Sequence, residues 1–351
     1  MPSNTLPDHT TVAIIGSGLT GLYLGQRLRL LGINALLADK GRYPGGRMAA
    51  RNVGLTGMVN TGPRFFMTCK AGDGLLFTPQ WLETNTQQGK NSDICEIPED
   101  LTGYMPGFAV HKPAGSFREF SLALASGLEM HQQLKLTTLK QGNDRWILTF
   151  ESTDTCEIME MTARHVVLTL PAPQIAETLT NSGLNELIPS NLTTNIKYER
   201  SLVGMFEIEL TGQSETNETI LTNDGTGLRR MLIRSDRSSS SAVAYIESTD
   251  DFAEQHREAS KEVVLGLFQA MLRRHVAVVD VKSGQFHRWN YARIRPGCKA
   301  FPGPLVVSEK PFLMLAGEGF GVADEVPAGL VSAQRSAEMA AQIMSAIEVS
   351  N

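Results

Sequence analysis

The chain has 351 residues, an apolar content of 42% and a formal net charge of −5 at pH 7. That length can bury one large core or two moderate ones. The mild negative charge gives no global electrostatic case for nucleic acid or an anionic membrane surface, and no apolar run is long enough to span a bilayer.

The first element carries the most information. Residues 12–21 read Val-Ala-Ile-Ile-Gly-Ser-Gly-Leu-Thr-Gly, an apolar run that ends in G-x-G-x-x-G. The run over 12–15 predicts a buried parallel strand. Gly16 allows a tight turn, Gly18 lets a pyrophosphate approach the backbone, and Gly21 lets the next helix pack close to the sheet. That helix places Leu22, Leu24, Leu28 and Leu31 at near-helical spacing. Its N-terminus directs free N–H groups and the positive dipole end at the phosphates. A second strand over 34–38 ends at Asp39, about 20 residues after the turn, the usual spacing of a carboxylate that holds an adenosine ribose. Together these features predict dinucleotide binding.

A basic run over 42–51 follows, with Gly45-Gly46-Arg47-Met48 inside it. It reads either as an ordinary basic loop or as a turn that sets N–H groups and a guanidinium beside phosphate oxygens. Next to the glycine turn and Asp39, the second reading is preferred. Residues 84–99 are polar and strand-poor, an exposed excursion or part of a lid. A helix opened by Pro113 is predicted over 112–127. Strands over 134–139 and 146–150 flank Gly142-Asn143-Asp144 as a hairpin. Strands over 159–163 and 165–170 follow, the latter stopping at Pro171.

A helix is predicted over 174–184, then antiparallel strands near 201–210, 228–234 and 242–247, with a serine turn over 238–241. One long helix over 251–274 presents Phe252, Val263, Val264, Leu267 and Met271. Strands over 285–292 and 311–316 and a last helix over 327–347 complete the chain. On the strand over 285–292, His287, Trp289 and Tyr291 alternate and so share a face. Two readings stay open for them. The aromatics pack as core or wall a planar substrate, and His287 is structural, a proton acceptor or a hydrogen-bonding anchor.

Several pieces, in order along nearly the whole chain, carry a family resemblance. They are residues 16–21, Asp39-Lys40-Gly41-Arg42 with Gly45-Gly46-Arg47, and Asn60-Thr61-Gly62-Pro63-Arg64-Phe65-Phe66. Then come Thr169-Leu170-Pro171-Ala172-Pro173-Gln174, His287-Arg288-Trp289-Asn290-Tyr291-Ala292-Arg293 and Leu315-Ala316-Gly317-Glu318. The combination resembles the glutathione-reductase-type FAD superfamily in its amine oxidase branch, and within it the renalase family most.

The resemblance implies these roles. Gly16, Ser17, Gly18 and Gly21 cradle the FAD pyrophosphate, Asp39 and Lys40 sit at the adenosine ribose, and Thr20 and Arg42 count among the cofactor-binding residues. Arg47 reaches the phosphates, with Gly46 and Met48 beside it among the cofactor-binding residues. Gly62, Pro63, Arg64 and Phe65 pass along the flavin ring. Leu136 lies in the strand that meets the adenine, and Thr169 and Pro171 lie where the sheet returns to it. Gly317 and Glu318 approach the pyrophosphate and ribityl chain. Val326, Pro327 and Gly329 open the last helix, whose N-terminus stabilises the negative charge of a reduced flavin. Arg64, Phe65, His287, Trp289 and Tyr291 are the candidate catalytic residues, on the substrate side. Renalase-like proteins usually carry Gln-Tyr where this chain has Arg64-Phe65, a change that touches the substrate wall and spares the cofactor scaffold.

Other chemistries are absent from the sequence. It has no G-x-S-x-G, no H-E-x-x-H and no histidine pair with metal-ligand spacing, so no metal is expected. A second G-x-G-x-x-G for a nicotinamide cofactor is missing. Cys69, Cys95, Cys156 and Cys298 are far apart with no C-x-x-C, which suits a reducing cytoplasm. Cys298 lacks the surroundings of a cysteine that carries covalent flavin, so FAD is expected to be non-covalent.

The expected fold is α/β, with a Rossmann-like FAD-binding domain (10–72, 109–176 and 300–347) interleaved with a mixed or antiparallel-sheet substrate domain (73–108 and 177–299). The expected function is that of a renalase-like oxidase, taking hydride from a dihydronicotinamide to flavin with reoxidation by oxygen. The alternatives are an amine oxidase or desaturase on a small biosynthetic intermediate, and a non-catalytic flavin-binding module. The expected partners are a small-molecule substrate and molecular oxygen, without nucleic acid or membrane, for a cytoplasmic monomer or homodimer.

Overall fold

The computed structural model describes residues 6–54, 58–62, 66–69, 86–87, 108–113, 115–212, 218–235, 240–322 and 329–349. In chain order its strands begin with β1 (His9–Ile15), β2 (Ala35–Asp39), β3 (Ala50–Asn52), β4 (Met58–Asn60), β5 (Phe66–Cys69) and β6 (Thr86–Gln87). Then come β7 (Phe108–Pro113), β8 (Glu129–Gln132), β9 (Leu134–Gln141), β10 (Trp146–Ser152), β11 (Ile158–Leu168) and β12 (Tyr198–Leu210). The last are β13 (Glu218–Thr222), β14 (Leu228–Ser235), β15 (Ser241–Ser248), β16 (Val278–Ile294), β17 (Leu305–Glu309) and β18 (Phe312–Leu315). The helices are α1 (Leu19–Leu30), α2 (Phe117–Ala125), α3 (Ala172–Asn181), α4 (Leu192–Asn195), α5 (Asp250–Gln255), α6 (Lys261–His275) and α7 (Leu330–Val349).

The chain divides into two compact units. The first is Met1–Ala49, Pro63–Lys197 and Ile294–Asn351, and the second is Ala50–Gly62 and Tyr198–Arg293. Residues 50–62, expected with the cofactor domain, group with the second unit because β3 and β4 pack on its sheet. Residues 177–197, expected with the substrate domain, group with the first.

The first unit is built on a sheet with the core order β17-β18-β11-β1-β2-β8, to which β10 and β9 add. Strands β18, β11, β1, β2 and β8 run parallel, so all their carboxyl ends lie on one edge. Residues Val12, Ala13 and Ile14 are fully buried, as a strand covered on both faces requires. Leu22, Leu24 and Leu28 of α1 join Phe117 and Phe120 of α2 and Ala337 and Met344 of α7 in the core beside this sheet. Leu31, expected on the same face, stands just past the helix end and is exposed.

The second unit carries the five-stranded sheet β13-β14-β15-β12-β16. One core lies against α5 and α6 and includes Phe206, Phe252, Phe268 and Leu272. A second cluster joins Val53 and Val59, from the β3–β4 segment, to Val203, Met205, Val243 and Tyr245, with Trp289 packed against it.

Two helix expectations and one strand expectation need correction. The helix placed over 112–127 begins only at Phe117, because Ser116 and Glu119 form a reciprocal capping box; residues up to Pro113 are strand. The single helix over 251–274 is two, capped separately by Thr249 and Ser260, and Val263 is exposed rather than on the apolar face. The two strands expected over 159–170 are one, β11. Of the polar stretch 84–99, only Thr86–Gln87 falls among the described residues, as β6. Among the described residues no helix is long and apolar enough to cross a membrane.

Candidate functional site

The carboxyl edge of the parallel sheet gathers residues from five separate places in the first unit. Gly16 N–H donates to the Ala38 carbonyl (2.8 Å), joining the ends of β1 and β2. The Asp39 carboxylate accepts from the Ser17 N–H (2.6 Å) and the Gly41 N–H (2.6 Å). Gly45 N–H donates to the Ser17 carbonyl (2.7 Å), which folds the Gly-Gly-Arg turn back over the glycine-rich turn. Gly45 has φ 117°, a conformation that favours glycine. Thr169, following β11, donates its hydroxyl toward the carbonyls of Ile15 (2.9 Å) and Gly16 (3.0 Å). Gly317, following β18, donates its N–H to Ser336 Oγ (3.0 Å). Glu318, nearly buried, forms an ion pair with Arg47. The glycine turn, Asp39, the Arg47 turn, Thr169 and the Gly317-Glu318 pair are thus held as one constellation.

This constellation fits a dinucleotide. A Cβ at Gly21 would lie 1.9 Å from the Gly16 carbonyl oxygen, so only glycine permits the close turn-to-helix contact. A Cβ at Gly18 would meet nothing within 4 Å, leaving open space at the start of α1. No side chain caps that helix and no acidic residue lies in its first turn. Its first N–H groups therefore suit an anion. Beside Asp39, β8 ends at Gln132, whose Oε1 is buried with no partner among the described residues. Gln132 Nε2 reaches Ser17 Oγ at 3.5 Å.

Other expected residues have partners or surroundings of their own. The Thr20 hydroxyl donates to the Ala333 carbonyl (3.2 Å), tying α1 to α7. Met48 is buried in the core of the first unit. Leu136 is buried on β9 opposite Phe150, whereas the strand that pairs with β2 beside Asp39 is β8. Lys40 and Arg42 are exposed, and Arg42 lies 5.6 Å from the Tyr43 ring. Pro171 caps α3. Gly329 precedes α7, its N–H donating to Ser332 Oγ (2.8 Å). Pro63, Arg64, Phe65, Val326 and Pro327 lie outside the described residues.

The second unit gathers His287, Trp289 and Tyr291 on one face of β16. Trp289 Nε1 donates to the Thr61 carbonyl (3.2 Å), and its ring meets the His287 ring edge-on with centroids 4.2 Å apart. Tyr291 packs edge-to-face on Tyr198 at 5.4 Å. Arg51 of β3 reaches Nδ1 of His287 at 3.0 Å. Burial, then the Arg51 charge, push His287 down to about 4.

The second unit also holds a network with no signature in the sequence. Arg230 Nη2 donates to Glu247 Oε2 (2.8 Å) and to the Gly62 carbonyl (3.2 Å). Arg293 donates to the other oxygen of Glu247 (2.9 Å) and to Glu199 (2.9 Å). The Tyr245 hydroxyl is 3.1 Å from Glu247 and 3.4 Å from the Thr61 carbonyl. Burial and the Glu247 carboxylate raise Tyr245, so its hydroxyl stays protonated. Side chains from β14, β15 and β16 therefore converge on the carbonyls of Thr61 and Gly62. Among the described residues no cluster of His, Cys, Asp and Glu is suited to a metal.

Residues 70–344 match the family described as flavin containing amine oxidoreductase, and residues 14–75 match the NAD(P)-binding Rossmann-like domain. The chain belongs to the flavin containing amine oxidoreductases. It is 25% identical to renalase from Mus musculus over 335 residues, covering 88% of this chain and 92% of that protein. Among solved structures it is similar to a putative protoporphyrinogen oxidase from Exiguobacterium sp. 255-15, with TM-score 0.65, 14% identity and coverage of 96% and 99%. It is also similar to cyclohexylamine oxidase from Brevibacterium oxydans IH-35A, with TM-score 0.61, 13% identity and coverage of 98% and 100%. This flavin containing amine oxidoreductase is a renalase-like, FAD-dependent enzyme of mixed α/β fold acting on a small molecule.

Proposed function

We propose that this amine oxidoreductase is an oxidase that takes hydride from a dihydronicotinamide-type substrate and uses molecular oxygen as acceptor. The similarity to renalase along most of both chains carries this reading, since members of the renalase family oxidise dihydronicotinamide isomers. The FAD, when bound non-covalently, supplies the hydride acceptor and its reoxidation by oxygen yields hydrogen peroxide.

The first unit holds the cofactor in this reading. The uncapped start of α1 and the open space at Gly18 receive the pyrophosphate. Asp39, already oriented by two backbone N–H groups, keeps acceptor capacity for ribose hydroxyls. Glu318 aims Arg47 at the phosphates. Gly317 and the start of α7 near Gly329 complete the site. Within the second unit Gly62 is braced by Arg230, and Trp289 and Tyr291 offer aromatic surface to a substrate. The chemistry asked of these side chains is positioning and exclusion of water, not proton transfer.

Arg64-Phe65, in place of the usual Gln-Tyr, favours a second reading, an amine oxidase or desaturase on a small biosynthetic intermediate. An anaerobic flavin-reduction screen with 6-dihydro-NAD, related isomers and amines separates the two. Bleaching by a dihydronicotinamide supports the first, bleaching by amines alone supports the second, and no bleaching by any reductant of either class overturns both.

A further inference from the structure

We propose that Arg51 is a positioning residue that holds His287 as a hydrogen-bond donor, and that the Nε2–H of His287 recognises a carbonyl oxygen of the substrate. The recognition clause rests on the reading of β16 as the substrate side; the Arg51–His287 relationship does not.

An arginine side chain has five N–H donors and no acceptor. Nη2 of Arg51 lies 3.0 Å from Nδ1 of His287. Nδ1 must therefore offer its lone pair, and the single proton of the neutral imidazole sits on Nε2. A doubly protonated ring has no lone pair left for Arg51 and would set two cations at hydrogen-bond distance.

Both partners are fixed by backbone within the second unit. Arg51 stands opposite Val59 in the β3–β4 ladder. Gln285, two residues before His287 on the same face, donates to the Asn52 carbonyl (2.6 Å), which ties β16 to the strand bearing Arg51. The ring's other neighbour, Trp289, is uncharged and meets it edge-on. On strand β12 the carboxylate of Glu207 is engaged by Ser283 Oγ at 3.5 Å. Among the described residues Arg51 is the one charged group that acts on the ring, in the same direction as burial. Among the described residues the ring's one hydrogen bond is that to Arg51, through Nδ1.

A group that meets Nε2–H has to be an acceptor. A carboxamide carbonyl satisfies it and a protonated amine does not. In this state His287 offers no lone pair to a substrate proton, so it orients the ring that gives up hydride and takes no proton from it.

The direct test is the nitrogen spectrum of the holoenzyme carrying ¹⁵N-histidine, with the signal of His287 among the seven histidines assigned by His287→Gln. The expected result is a protonated Nε2 and an unprotonated Nδ1 from pH 5.5 to 8. Arg51→Glu supplies an acceptor and is expected to move the proton to Nδ1, and Arg51→Met to bring the titration toward the ordinary histidine range. A wild-type proton on Nδ1, or a spectrum unmoved in both folded variants, would overturn the proposal. As a second arm, His287→Phe is expected to weaken dihydronicotinamide binding about tenfold in anaerobic titration, the loss of one hydrogen bond, with the flavin spectrum unchanged; unchanged binding would overturn the recognition clause. If no dihydronicotinamide reduces the wild-type flavin, the substrate reading fails, and the tautomer measurement, which needs no substrate, still decides the role of Arg51.

Discussion

Arg47 and Glu318 form an ion pair that joins the turn after β2 to the turn after β18. Glu318 is almost wholly buried, while Arg47 keeps a third of its side chain accessible. The buried carboxylate thus has a fixed orientation and sets that of the guanidinium. Replacing Arg47 by Ala is expected to weaken FAD binding ten- to a hundredfold, about 1.5–3 kcal/mol for a charge-assisted contact. Glu318→Gln keeps an acceptor and is expected to lose less. Fluorescence titration of the apoprotein with FAD measures both, and equal affinity in wild type and Arg47→Ala would remove Arg47 from the phosphate site.

Gly18 and Gly21 separate folding from cofactor binding. A Cβ at Gly21 has a backbone carbonyl oxygen 1.9 Å away and cannot be accommodated without moving the turn. Gly21→Ala is expected to destabilise the protein by about 3 kcal/mol or more. At Gly18 the same atom meets open space. Gly18→Ala is expected to leave the melting temperature of the apoprotein nearly unchanged while weakening FAD, because the added methyl occupies the phosphate approach. Thermal melts with and without FAD check both, and a large loss of apoprotein stability in Gly18→Ala would contradict this account.

Glu247 is the hub of the network in the second unit. It accepts from Arg230 and Arg293 and lies beside the Tyr245 hydroxyl. Glu247→Ala would leave two partly buried guanidinium groups without their shared carboxylate, a loss of about 3–5 kcal/mol when a buried pair is broken on one side. Glu247→Gln is expected to cost less. Urea denaturation gives the values, and a Glu247→Ala variant as stable as wild type would show that solvent or other groups replace the carboxylate.

These residues were legible in the sequence to different degrees, for physical reasons. The glycine turn and β1 stand out because a strand buried on both faces must be continuously apolar and a phosphate-binding turn must be glycine. Strand β8 does not, because Glu129-Met130-His131-Gln132 is a short polar edge strand with no alternation. Gln132 was missed for that reason. The break between α5 and α6 has no glycine or proline to announce it; Ser260 becomes a cap only because the chain turns there. The Glu247 network has no local signature at all. Glu199, Arg230, Glu247 and Arg293 meet because β14, β15, β12 and β16 pair, and a single sequence does not print that pairing.

His287 makes stability pH-dependent. Its folded value is lowered to about 4 from the ordinary 6.5. Between those values the unfolded chain binds a proton that the folded one does not, so stability falls as pH drops from 6.5 toward 4. Urea midpoints at pH 7 and pH 4.5 are expected to differ more in wild type than in His287→Gln. An identical difference in the two proteins would mean that His287 titrates alike in both states.

The central claim, that this flavin containing amine oxidoreductase takes hydride from a dihydronicotinamide, is tested most directly by anaerobic stopped-flow mixing of the FAD-loaded protein with 6-dihydro-NAD. The expected result is bleaching of the oxidised flavin band in a substrate-dependent phase, and recovery with hydrogen peroxide formation when oxygen is admitted. A flavin that stays oxidised with every dihydronicotinamide isomer, yet is reduced by amines, would contradict it.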